Sequence, residues 1–152
     1  MTDLKMFVDW HSFTCGTKTG ELEGYHCNNP GSLSEHEKKE LFRLLYPVAL
    51  DAFSREHSSG MKEDVWKHIF SSKGLLVVLD NAGQEKRRIV AFRMWDIIWF
   101  SVLRGDILYL AGMCVRKQYQ KIGIGSSLLK YVLFKDEQRR VRSVDQVCPL
   151  PE

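Results

Sequence analysis

Leu41, Leu44, Leu45, Val48 and Ala52 recur at three- and four-residue steps, which puts them on one stripe of an amphipathic helix. Ser34-Glu35-His36-Glu37 precedes the stripe as a capping box, with Ser and Glu satisfying the first free amides reciprocally. Pro47 falls inside the stripe and would cost about 3 kcal/mol in a regular helix, so a kink or two shorter helices is expected. A polar loop over 55–60 leads to Val65, Trp66, Ile69 and Phe70, a second short helical face. After Lys73-Gly74 the period changes. Leu75-Leu76-Val77-Val78-Leu79 is continuous and partly β-branched, as a central buried strand is. Asp80-Asn81-Ala82-Gly83 and Arg104-Gly105-Asp106 are turns. They bracket a strand from 88 to 98, with its extension to Leu103 open, and introduce a third strand over 107–115. Residues 126–138 carry Leu128, Leu129, Val132 and Leu133 on one helical side. Helix, helix, three strands and a helix make an α/β or α+β body built on a meander.

Residues 1–31 show no sustained periodicity. Phe7-Val8-Asp9-Trp10 suits a short strand, while 15–20 and 28–31 read as turns. The expected organisation is therefore an irregular N-terminal arm over 1–31, followed by one domain over 32–152.

Composition narrows the class. The chain has 152 residues, 44% hydrophobic and 27% charged, within the range of one globular domain and unlike a disordered or collagenous chain. Twenty-two basic residues against 19 acidic leave a net charge of +3, which permits a local anion site without pointing to nucleic acid. The clusters 86–88 and 139–142 lack an interleaved aromatic platform and read as solvated element ends. Cys15, Cys27, Cys114 and Cys148 are widely and irregularly spaced, no charged-then-apolar leader opens the chain, and no apolar run reaches membrane-spanning length. A cytoplasmic protein with reduced thiols is expected. Cys15, His26 and Cys27 match no zinc spacing, so no metal is expected.

The chemistry concentrates in residues 108–132. A strand runs into a basic turn, then Gln120-Lys121-Ile122-Gly123-Ile124-Gly125, then a helix. Glycines without side chains let backbone amides approach a ligand, and the first helical turn offers unpaired N–H groups and the positive end of its dipole. Such a loop is an anion cradle, with Arg116, Lys117 and Lys121 around it. It is neither a GxxxxGK[ST] nor a GxGxxG sequence, which argues against nucleoside triphosphate and dinucleotide sites.

Leu-Tyr-Leu-Ala-Gly-Met-Cys-Val followed by Gln120-x-x-Gly123-x-Gly125 and Leu128-Leu129 resembles the acetyl-coenzyme A motif of the GCN5-related N-acetyltransferases (GNAT). The match is close over 108–132, and the element order extends it back to about Ser34. The resemblance implies a mixed, largely antiparallel sheet flanked by helices. It implies that Gln120, Lys121 and the amides of Ile122, Gly123, Ile124, Gly125 and Ser126 hold a pyrophosphate. It also implies that the backbone of Met113, Cys114 and Val115 pairs with the pantetheine arm, with an N–H near Cys114 or Val115 polarising the thioester carbonyl under direct attack by an amine.

The family pattern continues beyond the motif helix with further strands and often a tyrosine acid. Here fourteen residues follow Gln138 and no tyrosine follows Tyr131. The expected fold is C-terminally incomplete, with one further strand over 141–147, and no general acid or base is assigned. Asp106 and Tyr109 are conceivable bases on the third strand, while Cys114 reads as a packed strand cysteine rather than a nucleophile. His36, His57 and His68 read as surface residues, although the loop with Glu56 and His57 falls where the family's acceptor often enters. Trp95, Trp99 and Phe100 read as core. The expected activity is acetyl-CoA-dependent N-acetyl transfer. The alternative is a non-catalytic coenzyme-binding or interaction protein on the same scaffold, whose unfinished sheet edge invites a homodimer.

Overall fold

A computed structural model describes residues 4–7, 9–53, 59–81 and 87–147. After a 3-10 turn at Leu4–Phe7 come strands β1 (His11–Thr17) and β2 (Gly20–Asn28). Helices α1 (Glu35–Phe53) and α2 (Ser59–Ser71) follow, then β3 (Gly74–Asp80), β4 (Arg88–Phe100), β5 (Gly105–Val115) and α3 (Ile124–Val147). The strands lie in one sheet in chain order, every neighbouring pair antiparallel.

The sheet separates two cores. Leu75, Val77 and Leu79 face α1 and α2, whose Leu41, Leu45, Val48 and Ile69 are fully buried against them. Leu76 and Val78 point to the opposite face, where α3 contributes Ile124, Leu128 and Val132 at four-residue steps. Each such side chain contributes roughly 1.5–3 kcal/mol by leaving water. β3 is buried on both faces because it is the middle strand, as its unbroken apolar run requires. Two register shifts re-aim side chains. Val78 pairs with Ala91 and Leu79 with Ile89, leaving Val90 extra. On the other side of β4, Met94 pairs with Gly112 and Asp96 with Tyr109, so Trp95 opposes two residues of β5.

The arm expected to be irregular is instead the β1–β2 hairpin, which adds two strands to the sheet. Its fully buried positions on the α3 side are Cys15, Gly24 and His26, with Leu22 the one aliphatic residue beside them, so the alternation is hidden. The ring of Phe13 lies across Gly24, where a Cβ would stand 2.4 Å from its Cζ, and stacks on Tyr131 of α3 at 4.1 Å. Residues 4–7 form a turn, and Val8 lies outside the described residues.

The capping box forms as expected: Ser34 N–H donates to Glu37 at 2.8 Å and Glu37 N–H to Ser34 Oγ at 3.2 Å. Pro47 does not divide α1, because Leu41, Leu45, Val48 and Ala49 hold both halves against the sheet. The strand expected over 141–147 is the continuation of α3. Asp136 pairs with Arg139 and Arg140 at helical spacing, and both arginines reach back to Asp106 on β5. Trp95 is core, but Trp99 and Phe100 are 66% and 45% exposed, because β4 extends past the helices that cover its start. Leu133 is likewise exposed. Cys15 and Cys27 sit in the cores on opposite faces of the sheet, which keeps them from sharing a metal. Cys15, Cys27 and Cys114 are free; Cys148 lies outside the described residues.

Candidate functional site

The first intrahelical bond of α3 runs from Ser127 N–H to Gly123 C=O at 3.1 Å, so the amides of Gly125 and Ser126 precede the helical ladder. Two residues give the approach its shape. Gly123 has φ +98°, and a Cβ there would meet nothing within 4 Å, which leaves its backbone open to a ligand. Lys121 adopts φ +67° and is exposed. The buried Ile124 side chain anchors this turn in the core, while Ser126 is exposed at its mouth.

The loop is braced from distant parts of the chain. Lys18 in the β1–β2 turn donates its N–H to Ile122 C=O at 2.8 Å. Lys117 N–H donates to Asp51 of α1 at 2.8 Å, and the Tyr119 hydroxyl donates to Asp80 at 2.5 Å. Burial, then the bond to Asp80, raises the Tyr119 pKa, so it stays a protonated donor. Gln120 is exposed and donates from Nε2 to Val115 C=O at 2.9 Å, which ties the turn to the end of β5.

Alternation along β5 assigns its backbone groups. Arg116 N–H donates to Val90 C=O at 2.9 Å, so Arg116 and Cys114 face β4 while Val115 and Met113 turn away from it. Among the described residues β5 has no second neighbour, and this edge borders the groove. The Cys114 side chain packs with Phe92 among the α1-facing residues, and burial pushes its thiol up to about 12. A thiol so placed is no nucleophile at neutral pH. The Met113 side chain covers Gly125, where a Cβ would come within 2.9 Å of its Cε. Asp106 is engaged by two arginines rather than poised as a base, and Tyr109 is exposed on the strand's outer part.

The result is a groove of about 430 Å³ between the end of α1, the edge of β5 and the first turn of α3. Met113, Val115, Gln120, Lys121, Gly123, Ile124, Gly125 and Ser126 all line it, joined by Ala52 and Phe53. These last two, with Lys18, Asp51 and Asp80, carry no local sequence pattern that marks them. A larger cleft of about 630 Å³ opens between α1 and α2, but its aromatic walls Phe42, Tyr46 and Trp66 pack on one another and belong to or border the core. Glu56 and His57 lie outside the described residues. His36 and His68 are exposed, on the helices.

The model of the acetyltransferase (GNAT) family matches residues 40–148. The chain belongs to the GNAT acetyltransferase family. The matched span takes in α1 from Glu40 onward, α2, the β3–β5 meander and α3, and so includes the whole loop and both sides of the groove. The family's general chemistry is acetyl transfer, and the mixed α+β architecture with its antiparallel sheet agrees with a GNAT-like fold. No curated protein matches the chain. Among the described residues no helix is long and apolar enough to cross a membrane.

Proposed function

We propose that this chain binds acetyl-CoA in the groove between β5 and α3 and transfers the acetyl group to an amine. The observation that carries the reading is Gly123: a left-handed glycine with open space where a side chain would stand, immediately before unpaired helical amides. The residues fit the group. The amides of Gly125 and Ser126 and the dipole of α3 would hold the pyrophosphate, each dipole contact contributing roughly 0.3–1 kcal/mol, with Lys121 adding charge. The outward backbone groups of Met113 and the N–H of Val115, whose C=O is held by Gln120, would pair with the pantetheine arm as an added strand pairs.

Acetyl-CoA would supply an activated thioester. Outward N–H groups on β5 would polarise its carbonyl, and the amine nitrogen would attack the carbonyl carbon directly as the carbon–sulfur bond breaks. The buried Cys114 thiol argues against a covalent acyl-enzyme. Ala52 and Phe53 at the end of α1 line the same groove.

Calorimetry with acetyl-CoA tests the reading. Gly123→Glu should abolish binding by putting a carboxylate in the pyrophosphate's place. Ser126→Glu should weaken it at least tenfold while keeping the fold, since an acidic residue suits a helix N-terminus. Equal binding by all three proteins, or none by the wild type, overturns the proposal. A second reading, an interaction protein on the same scaffold, draws on the exposed Trp99, Val102 and Leu103 and on the open edge of β5, where a second copy would pair. Thiol release across an amine panel separates the two: turnover supports the enzyme, and binding without turnover the interaction protein.

A further inference from the structure

We propose that a second cleft, toward the other end of α3, is a site for a small organic oxyanion, a molecule carrying a carboxylate or a phosphate group. The cleft has a volume of about 530 Å³ and lies between the second half of α3 and the strand ends that carry His11, His26 and Trp95. It shares no lining residue with the groove at Gly123. Lys135 is nine residues beyond Ser126, about 14 Å along the helix.

The floor is built from two buried polar rings. His26 is 4% exposed and Trp95 8%, with ring centroids 5.8 Å apart. Gly74 makes the arrangement possible, because a Cβ there would stand 2.1 Å from Trp95 Cε2. His26 Nδ1 lies 3.1 Å from the Tyr131 hydroxyl. Among the described residues neither His26 Nε2 nor Trp95 Nε1 has a hydrogen-bond partner. An indole N–H only donates, whereas His26 Nε2 donates in one neutral tautomer and accepts in the other. Two buried ring nitrogens without partners sit on residues that line one cleft, and the one that can only donate, Trp95 Nε1, calls for an acceptor oxygen.

The rim supplies the sign of charge. Lys73, Lys135 and Arg142 border the cleft. Asp136 borders it too, but its two oxygens are each held at 2.9 Å, by Arg139 and Arg140. Positive charge over hydrogen-bond donors selects an oxyanion, and the volume leaves room for a carbon skeleton beyond the charged group.

Nuclear magnetic resonance on the full chain tests this at constant ionic strength, with inorganic phosphate, acetate and tetramethylammonium as probes. The indole N–H of Trp95, assigned by its loss in Trp95→Phe, should shift saturably with at least one anion and stay put with the cation. The anion that saturates at the lower concentration identifies the headgroup. Lys135→Glu with Arg142→Glu, on exposed parts of the side chains, should weaken the response at least tenfold, and Gly123→Glu should leave it unchanged. No saturable shift with either anion, an undiminished response after charge reversal, or loss in Gly123→Glu each overturns the proposal.

Discussion

At its first turn α3 presents backbone amides to the groove; along its second half it presents lysine and arginine side chains to the cleft. The first surface depends on backbone geometry at Gly123 and Lys121 and is indifferent to most side chains around it. The second depends on side chains gathered from several elements and on a glycine, Gly74, that acts only by making room for Trp95. The two ends differ in energetic cost as well. The first turn has its loop braced by Lys18, Asp51 and Asp80, whereas the cleft's lining holds two buried ring nitrogens without partners. Each such unsatisfied group typically costs about 1–3 kcal/mol. One helix thus runs from a well-braced loop to a cleft floored by unpartnered groups of β2 and β4, and variants should separate the two ends.

The largest difference should come from pH. Burial, followed by the charges of His11 and Lys135, lowers the His26 pKa from 6.5 to about 4. A histidine depressed in the folded state leaves the unfolded chain binding more protons, so stability falls as pH drops from 6.5 to 4. The loss approaches about 3 kcal/mol at the lower limit. Urea denaturation at pH 7, 5.5 and 4.5 should show this slope, and His26→Phe should remove that share of it. An unchanged slope in the variant would place the acid sensitivity elsewhere. The carboxylates of Asp106 and Asp136, held below their usual range mainly by the bonds to Arg139 and Arg140, contribute stability that is lost at lower pH still.

A smaller pair of effects sharpens the contrast between the glycines. Gly74→Ala forces a methyl into the fixed indole of Trp95 and should cost about 2 kcal/mol, as overpacking does. Gly123→Ala meets no atom, and its cost is confined to the positive φ, about 1 kcal/mol. Denaturation midpoints should rank them in that order. The ranking reverses for acetyl-CoA affinity: Gly123→Ala should weaken binding severalfold and Gly74→Ala should leave it near wild type. A cost at Gly123 above that at Gly74 would mean the loop is packed rather than open.

The same contrast explains what the sequence reveals. The glycine loop is legible because everything that defines it lies within 25 consecutive residues: strand, glycines and helix onset each impose a local pattern. The buried run of β3 and the capping box at Ser34 are legible for the same reason. The hairpin at 11–28 is hidden because its buried positions are filled by Cys15, Gly24, His26 and Cys27, with Phe13 covering the glycine. The braces at Lys18, Asp51 and Asp80 join the loop across long stretches of chain, and no local spacing encodes them. The strand expected over 141–147 fails because its valines at 141, 144 and 147 recur at a helical three-residue step, and the pairing of Asp136 with Arg139 and Arg140, tied to Asp106, carries the helix on.

The smallest expected effect on stability bears most directly on the comparison. Asp106 accepts from Arg139 at 2.9 and 3.0 Å and lies 3.3 Å from Arg140, with its side chain 29% exposed. Partly exposed pairs of this kind contribute little, so Asp106→Asn should lower stability by about 1 kcal/mol or less. In a chain of this size that corresponds to roughly 2–4 °C in Tm. Removing the carboxylate also releases positive charge from Arg139, which lines the cleft. Phosphate affinity at the cleft should therefore rise severalfold while acetyl-CoA affinity at the other end of α3 stays the same. Calorimetry with each ligand reads both, and a parallel change in the two affinities would show that the ends of α3 act as one electrostatic surface rather than two.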